Sequence, residues 1–359
     1  MRPVDRFVAF LLGQGVDRPP LLEEAPWALT LERWRGEGLA PDQEPPYLRE
    51  CDPLERTYTD LWMLPRYAER ILDEDEHSVT RISDRGIVER ELKPLGQGMP
   101  LHVRYPVETP ADWDALRSRF MPDSGERFPE AWTAKCARWQ REGTTVAFQG
   151  PRSPSLFGFC RELMGPERVL VALYDEPAMI EDMMEVSTEL TIAMLGRTLD
   201  EFPVRVLYFW EDMAYNAGPL ISPAMFRRLM VPRYRRITTY ARSRGVEVIL
   251  VDSDGNIEKL IPLWLEAGLD GVYPLEVAAG MDVVDLRRRY GERLVIKGGI
   301  DKRVLALGQA AIDAELARVM PLVERGRYFP TIDHAVPPDV PYANMCYYWE
   351  QKKRLLGII

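Results

Sequence analysis

Short apolar runs alternate with amphipathic stretches through the second half of the chain. Residues 246–251, Val-Glu-Val-Ile-Leu-Val, have the length and β-branched content of a strand. From Asn256 to Ala267, Ile257, Leu260, Ile261 and Trp264 share one helical face, and Gly268 is the stop. A short strand follows at 271–273, then a helix over about 282–290 that ends at Gly291. Residues 293–297 read as another strand. Asp301 caps a helix, and a second runs over about 310–324 with Ile312, Leu316, Val319 and Val323 inward. Gly326 stops it, and 328–331 read as the last strand. Earlier strand candidates are 20–22, 145–148 and 204–209. The long helix after Pro177 carries Ile180, Met183, Met184 and Met194 at helical spacing, which is core packing in preference to a cofactor box. Ser222-Pro223 is a helix start, with serine as cap and proline in the first turn.

Strand, helix, strand at this spacing implies parallel strands joined by crossover helices. A doubly wound nucleotide-binding sheet needs a glycine-rich loop between its first strand and helix, and none is present. Polar residues instead follow strand after strand, where a barrel places its chemistry. The pattern therefore predicts an α/β fold, a (β/α)8 TIM-type barrel, as one domain over residues 1–359. Residues 77–93 read as a β-hairpin turning at Asp84-Arg85-Gly86, an N-terminal elaboration of the barrel.

Composition narrows the function classes. The 359 residues carry a net charge of −10 and no lysine- and arginine-rich tract, which disfavours nucleic acid and anionic membranes as partners. No stretch approaches the ~20 apolar residues of a membrane span. The apolar run at 7–12 is short, follows Asp5 and lacks a cleavage site, so it reads as an amphipathic first helix. Cys51, Cys136, Cys160 and Cys346 show neither zinc-ribbon nor redox spacing, which fits a reduced, cytoplasmic protein. A small-molecule enzyme is the natural expectation.

Four segments carry candidate chemistry, each just past a strand. They are Glu211-Asp212, Asp252-Ser253-Asp254, Glu276 and Asp333-His334. Each has a plainer reading: Asp252 to Asn256 as a turn with a helix cap, and His334 as a structural side chain. Their placement on successive strands brings them to one rim. Carboxylates converging without lysines repel, and a cation, proton sharing or a cationic substrate would relieve them. Arg152, beyond the strand at 145–148, can meet a substrate anion or form a surface ion pair.

The ordered set Asp252-Ser253-Asp254-Gly255-Asn256, Glu266-Ala267-Gly268, Pro274-Leu275-Glu276, Lys297-Gly298-Gly299-Ile300-Asp301-Lys302 and Asp333-His334 with Val336-Pro337-Pro338 resembles the uroporphyrinogen decarboxylase superfamily. Gly218 to Pro223 and Asp17-Arg18-Pro19-Pro20 resemble it too. The resemblance implies one of two chemistries: cofactor-free decarboxylation of tetrapyrrole acetates, or zinc-assisted methyl transfer between corrinoid proteins and thiols. The decarboxylase's arginine-rich segment after the first strand is not evident, and the acidic Glu23-Glu24 there would repel a polycarboxylate. The resemblance places the methyltransferases' zinc ligands, a histidine, two thiolates and a completing glutamate, at Asp252, Asp254, His334 and Glu276, so the thiolates are gone. Oxygen ligands with one imidazole suit a divalent metal, zinc first, with less affinity than thiolates. The resemblance thus leads to a methyltransferase-like enzyme moving a methyl group between a small O- or N-methylated compound and a corrinoid on a partner protein. Glu211 or Asp212 would handle the leaving-group proton, and Arg152 and Asp333 would bind substrate. The alternative is a metal-free decarboxylase or lyase for a non-porphyrin acid.

Overall fold

The computed structural model describes residues 1–94 and 99–359. The first strand, β1 (Leu54–Arg56), precedes an antiparallel excursion of four strands, β2 (Arg70–Glu74), β3 (Ser78–Ile82), β4 (Val88–Leu92) and β5 (Leu101–Arg104). The chain then returns through β6 (Thr145–Phe148) and β7 (Val206–Trp210). A two-residue ribbon, β8 (Ala214–Tyr215) with β9 (Gly218–Pro219), leads to β10 (Val248–Asp252), β11 (Gly271–Tyr273), β12 (Val295–Lys297) and β13 (Tyr328–Phe329).

β1, β6, β7, β10, β11, β12 and β13 form one curled parallel sheet whose spatial order is their chain order. A doubly wound sheet reverses its order at a switch point, whereas a barrel never does. The α/β, TIM-type expectation therefore holds, with seven regular strands.

The eighth position differs from expectation. Residues 20–22 form no strand, because Pro19 and Pro20 have no N–H to offer a ladder. The Asp52 N–H donates to the Leu21 carbonyl at 2.7 Å, and the Asp52 carboxylate accepts the Leu21 N–H at 2.7 Å. On the other side the Glu23 carboxylate accepts the Ile332 N–H at 2.9 Å. This extended segment thus links the two open edges of the sheet through side chains. The strand that opens the sheet, Leu-Glu-Arg, has too little apolar content to stand out in the sequence.

The hairpin forms as β3 and β4, turning at Gly86 with φ +81°. Its two neighbours, β2 and β5, were not apparent from the sequence. Most predicted helices form, with Ser222 accepting the Met225 N–H as a cap. The helix expected from Asn256 begins only at Ile261, where Pro262 fits the first turn. Ile257, Leu260, Ile261 and Trp264 are nonetheless fully buried, as are Met183, Met184 and Met194. Among the described residues no helix is long and apolar enough to cross a membrane.

Candidate active site

Strand alternation decides which side chains enter the barrel. Glu55 accepts hydrogen bonds from Arg138 and Trp139 on the outer helix Trp132–Glu142, so its neighbour Arg56 faces inward. Phe209 packs on Tyr234 of the outer helix Val231–Ser243, at 5.0 Å between ring centroids, so Tyr208 and Trp210 face inward. The Tyr208 and Tyr273 rings lie 5.3 Å apart, and Lys297 Nζ sits 4.6 Å from the Tyr273 ring. Asp252, the last residue of β10, is in register with Trp210 on one side and Tyr273 on the other. The final positions of β1, β7, β10, β11 and β12 thus bring Arg56, Trp210, Asp252, Tyr273 and Lys297 to one mouth. The chain leaves Lys297 through Gly298, whose φ is +103°. A Cβ there would stand 1.7 Å from the Pro274 carbonyl oxygen, so only glycine fits.

The electrostatics of this mouth are unusual. Burial pushes the Asp252 carboxyl up to about 8, helped by the carboxylates of Asp254, Glu24 and Asp212 and opposed by Lys297. The Asp252 carboxyl therefore favours the neutral form near pH 7, and among the described residues no hydrogen bond is given to that carboxyl. Lys297 donates to Glu24 at 2.6 Å. Burial disfavours the charged form of Glu24, yet Lys297 outweighs it and holds the carboxyl below its ordinary range. Arg56 forms no ion pair among the described residues. The Gln149 Oε1 atom and the Tyr208 hydroxyl are buried without partners. Buried polar atoms of this kind call for a ligand or water.

The outer rim holds the remaining expected residues. His334 Nε2 lies 3.6 Å from Asp254 Oδ2, and this carboxylate raises the imidazole pKa against the lowering effect of burial. Glu276 accepts from the Gly255 N–H at 3.0 Å and from Lys302 Nζ at 3.2 Å. Asp254, Glu276 and His334 are thus neighbours, with an ammonium group among them and Asp252 turned toward the interior. Among the described residues no three His, Cys, Asp or Glu side chains are arranged to hold a metal ion. The donor set does not fit a divalent cation as it stands. The sequence argument assumed carboxylates without lysines, but Lys297 and Lys302 supply the positive charge.

Two expected residues have other tasks. Glu211 is fully buried and accepts from the backbone of Leu156 (2.8 Å) and Gly158 (2.9 Å), from Ser155 (3.3 Å) and from the Tyr234 hydroxyl. With its oxygens so occupied, it anchors the end of β7 in place of handling a substrate proton. Asp333, also fully buried, accepts from the backbone of Val277 (2.8 Å) and Lys302 (3.0 Å) and so pins two mouth loops together. Asp212 and Arg152 do face a cleft on the rim, each in the left-handed region at φ +46° and +52°. The two acidic residues expected to repel a polycarboxylate are themselves paired with cations. Glu23 is tied to Lys352 (2.8 Å) and Tyr348 inside the protein, and Glu24 is neutralised by Lys297, so neither repels an anion. Arg56, Gln149, Tyr208 and Tyr273 were not assigned a role from the sequence, and Lys297 entered only as part of a family motif. The one available signal was a charged residue closing an apolar strand, as Lys297 closes Val-Ile-Lys.

Residues 96–355, well over half of the chain, match the family model described as uroporphyrinogen decarboxylase (URO-D). A uroporphyrinogen decarboxylase of Coxiella burnetii is 21% identical over 95% of this chain and 92% of its own length. Those of Maricaulis maris and Nocardia farcinica are 24% and 29% identical, and against these the chain spans about half of the relative's length, 50% and 48%. In three dimensions the chain is similar to a methyltransferase from Methanosarcina mazei, with a TM-score of 0.63, 16% identity and coverage of 98% of this chain and 99% of that one. That likeness establishes the fold. The chain belongs to the uroporphyrinogen decarboxylase family.

Proposed function

We propose that this protein is an enzyme in which the neutral carboxyl of Asp252 is the general acid toward a small anionic substrate held at the barrel mouth. The observation that carries the reading is the position of Asp252 at the end of β10, where burial favours its neutral form and Lys297 lies close enough to oppose that effect. An acid whose pKa lies near the working pH is suited to giving up its proton during reaction. Arg56, free of any carboxylate partner, receives the substrate's carboxylate. Lys297 and Glu24 bound the pocket, and the Tyr208 and Tyr273 hydroxyls orient the reacting group.

The reaction we favour is removal of a methyl group from oxygen or nitrogen of a small methylated acid. A reduced corrinoid on a partner protein would supply the nucleophile that accepts the methyl group. The bond from the heteroatom to methyl breaks, its electron pair stays on the heteroatom, and Asp252 gives that atom its proton. Negative charge appears there only as the reaction proceeds, so the acid acts on the transition state more than on the ground state. A carboxylate clamped by Arg56 is stabilised before reaction, which favours keeping it as a handle over losing it as carbon dioxide. Decarboxylation is the second reading, supported by the named activity of the sequence relatives. Neither reading routes a step through a metal.

The test is incubation with methoxylated and N-methylated small acids and reduced cobalamin, with products followed by mass spectrometry. The expected result is the demethylated acid and methylcobalamin, lost in Asp252→Asn. Release of carbon dioxide with the methyl group retained would select the second reading.

A further inference from the structure

Glu24 pairs with Lys297 at one wall of the proposed pocket, and its main chain is held on both sides of the residue. The Glu24 N–H donates to the Glu23 carboxylate at 2.9 Å, and the Glu24 carbonyl accepts from the Tyr47 hydroxyl at 3.0 Å. Both holds lead to one element, the helix Tyr342–Leu355.

The first hold runs through a buried ion pair. Lys352 donates to Glu23 at 2.8 Å and to the Leu22 carbonyl at 2.6 Å. Tyr348, one turn earlier on the same helix face, donates its hydroxyl to Glu23 as well. The Lys352 and Glu23 side chains are 1% and 0% exposed. Glu23 also accepts the Ile332 N–H at 2.9 Å, so both of its oxygens are occupied. The second hold runs through the short helix Pro46–Glu50. The Tyr47 ring packs on Trp349 at 5.7 Å, and Glu50 accepts from Trp349 Nε1 at 2.9 Å and from Lys353 at 2.8 Å.

A buried ion pair contributes little net stability beside an apolar pair of like volume, because both charges have left water. An apolar contact would pin the helix as firmly. It would not orient the Glu23 carboxylate, which in turn orients the Glu24 N–H. We infer that Lys352 and Tyr348 are positioning residues of the site, acting through Glu23 to hold Glu24 where it captures Lys297. The helix Tyr342–Leu355 thus sets one wall of the pocket from behind the segment that replaces the eighth strand. The inference rests on the proposed reading only in taking the Glu24–Lys297 pair as that wall.

Acetylation of Lys297 in the folded protein tests it without substrate or turnover. Lys297 is 8% exposed and paired, so acetic anhydride should modify it slowly, as followed by peptide mass spectrometry. Loosening Glu24 should free the ammonium group. Labelling of a protected group follows the population of the open form. The rate in Lys352→Met and in Tyr348→Phe should therefore rise about fivefold or more, as the loss of one hydrogen bond to a charged group warrants. Cys160, fully buried on the helix Phe157–Met164, reports general opening. Its alkylation by N-ethylmaleimide under the same conditions should keep the wild-type rate. Tyr348→Phe keeps the ring and leaves Glu23 paired with Lys352, so it decides alone if Lys352→Met fails to fold. A Lys297 rate unchanged in the folded variants, or one that rises only in step with Cys160, would overturn the inference and leave the helix a structural role. Absence of demethylation by wild type would instead overturn the proposed reaction and leave the labelling result standing.

Discussion

Lys297 and Glu24 are joined by a 2.6 Å hydrogen bond although 273 residues separate them in the chain. The pair ties β12 to the extended segment that takes the place of an eighth strand. It also removes the negative charge that Glu24 would present to an incoming anion.

Lys297→Met is therefore expected to cost both stability and activity. Breaking a buried ion pair from one side leaves the other charge unpaired, at about 3–5 kcal/mol. The unpaired Glu24 would take up a proton, which moderates the loss. Denaturant unfolding should give a lower midpoint for Lys297→Met than for the double variant Lys297→Met with Glu24→Gln. Equal midpoints would mean that the pair does not hold the closure together.

Asp252→Asn tests the neutral acid. The folded pKa of about 8 lies above the ordinary carboxylate value, so between the two the folded state keeps a proton that the unfolded state has lost. By linkage, stability from this group is lost as pH rises toward 8. The variant should therefore melt higher than wild type at pH 9, with the gap closing at pH 4. Activity in wild type should fall as pH rises past about 8. A wild-type rate that climbs through that range would show that Asp252 acts as a base.

Much of the barrel was legible because its signals are local. Apolar runs of four to six residues, Gly268, Gly291 and Gly326 as stops, and Ser222-Pro223 as a start each depend on nearby chain. The site was legible only as far as alternation allowed. Asp252, Asp254, Glu276 and His334 do gather at one end of the sheet. Their partners were not legible, because Lys297 reaches back to Glu24 and Lys302 reaches across to Glu276. Glu211 and Asp333 misled for the same reason. A carboxylate that accepts several buried N–H groups has the same sequence neighbourhood as one that meets a substrate. Residues 20–22 failed as a strand because Pro19 and Pro20 offer no N–H and the Leu21 N–H goes to the Asp52 side chain.

Lys302 stands where a cation would neutralise the rim, 3.2 Å from Glu276 and 3.9 Å from Asp333. Lys302→Ala should free Glu276 to join Asp254 and His334 as a set of two carboxylates and one imidazole, the donor types that hold zinc. Zinc titration with a competing chelator should find tighter binding to the variant, by about tenfold or more. Unchanged affinity would mean that the lysine is not what keeps these donors from a metal.

His334→Ala separates a charge-tuning role from a structural one. The imidazole is partly exposed and lies on a loop, against Asp254 and edge-on to Trp27 at 6.2 Å. Its folded pKa is raised, so its ion pair contributes stability that is fully present below the ordinary histidine pKa and is lost as pH rises through the folded value. With a third of the side chain in water, the contribution is no more than about 1 kcal/mol. Melting of His334→Ala should thus trail wild type slightly at pH 5.5 and match it at pH 8.5. If the variant unfolds, His334 is a structural residue. A gap in melting that persists at pH 8.5 would mean that the ion pair with Asp254 is not what the imidazole contributes.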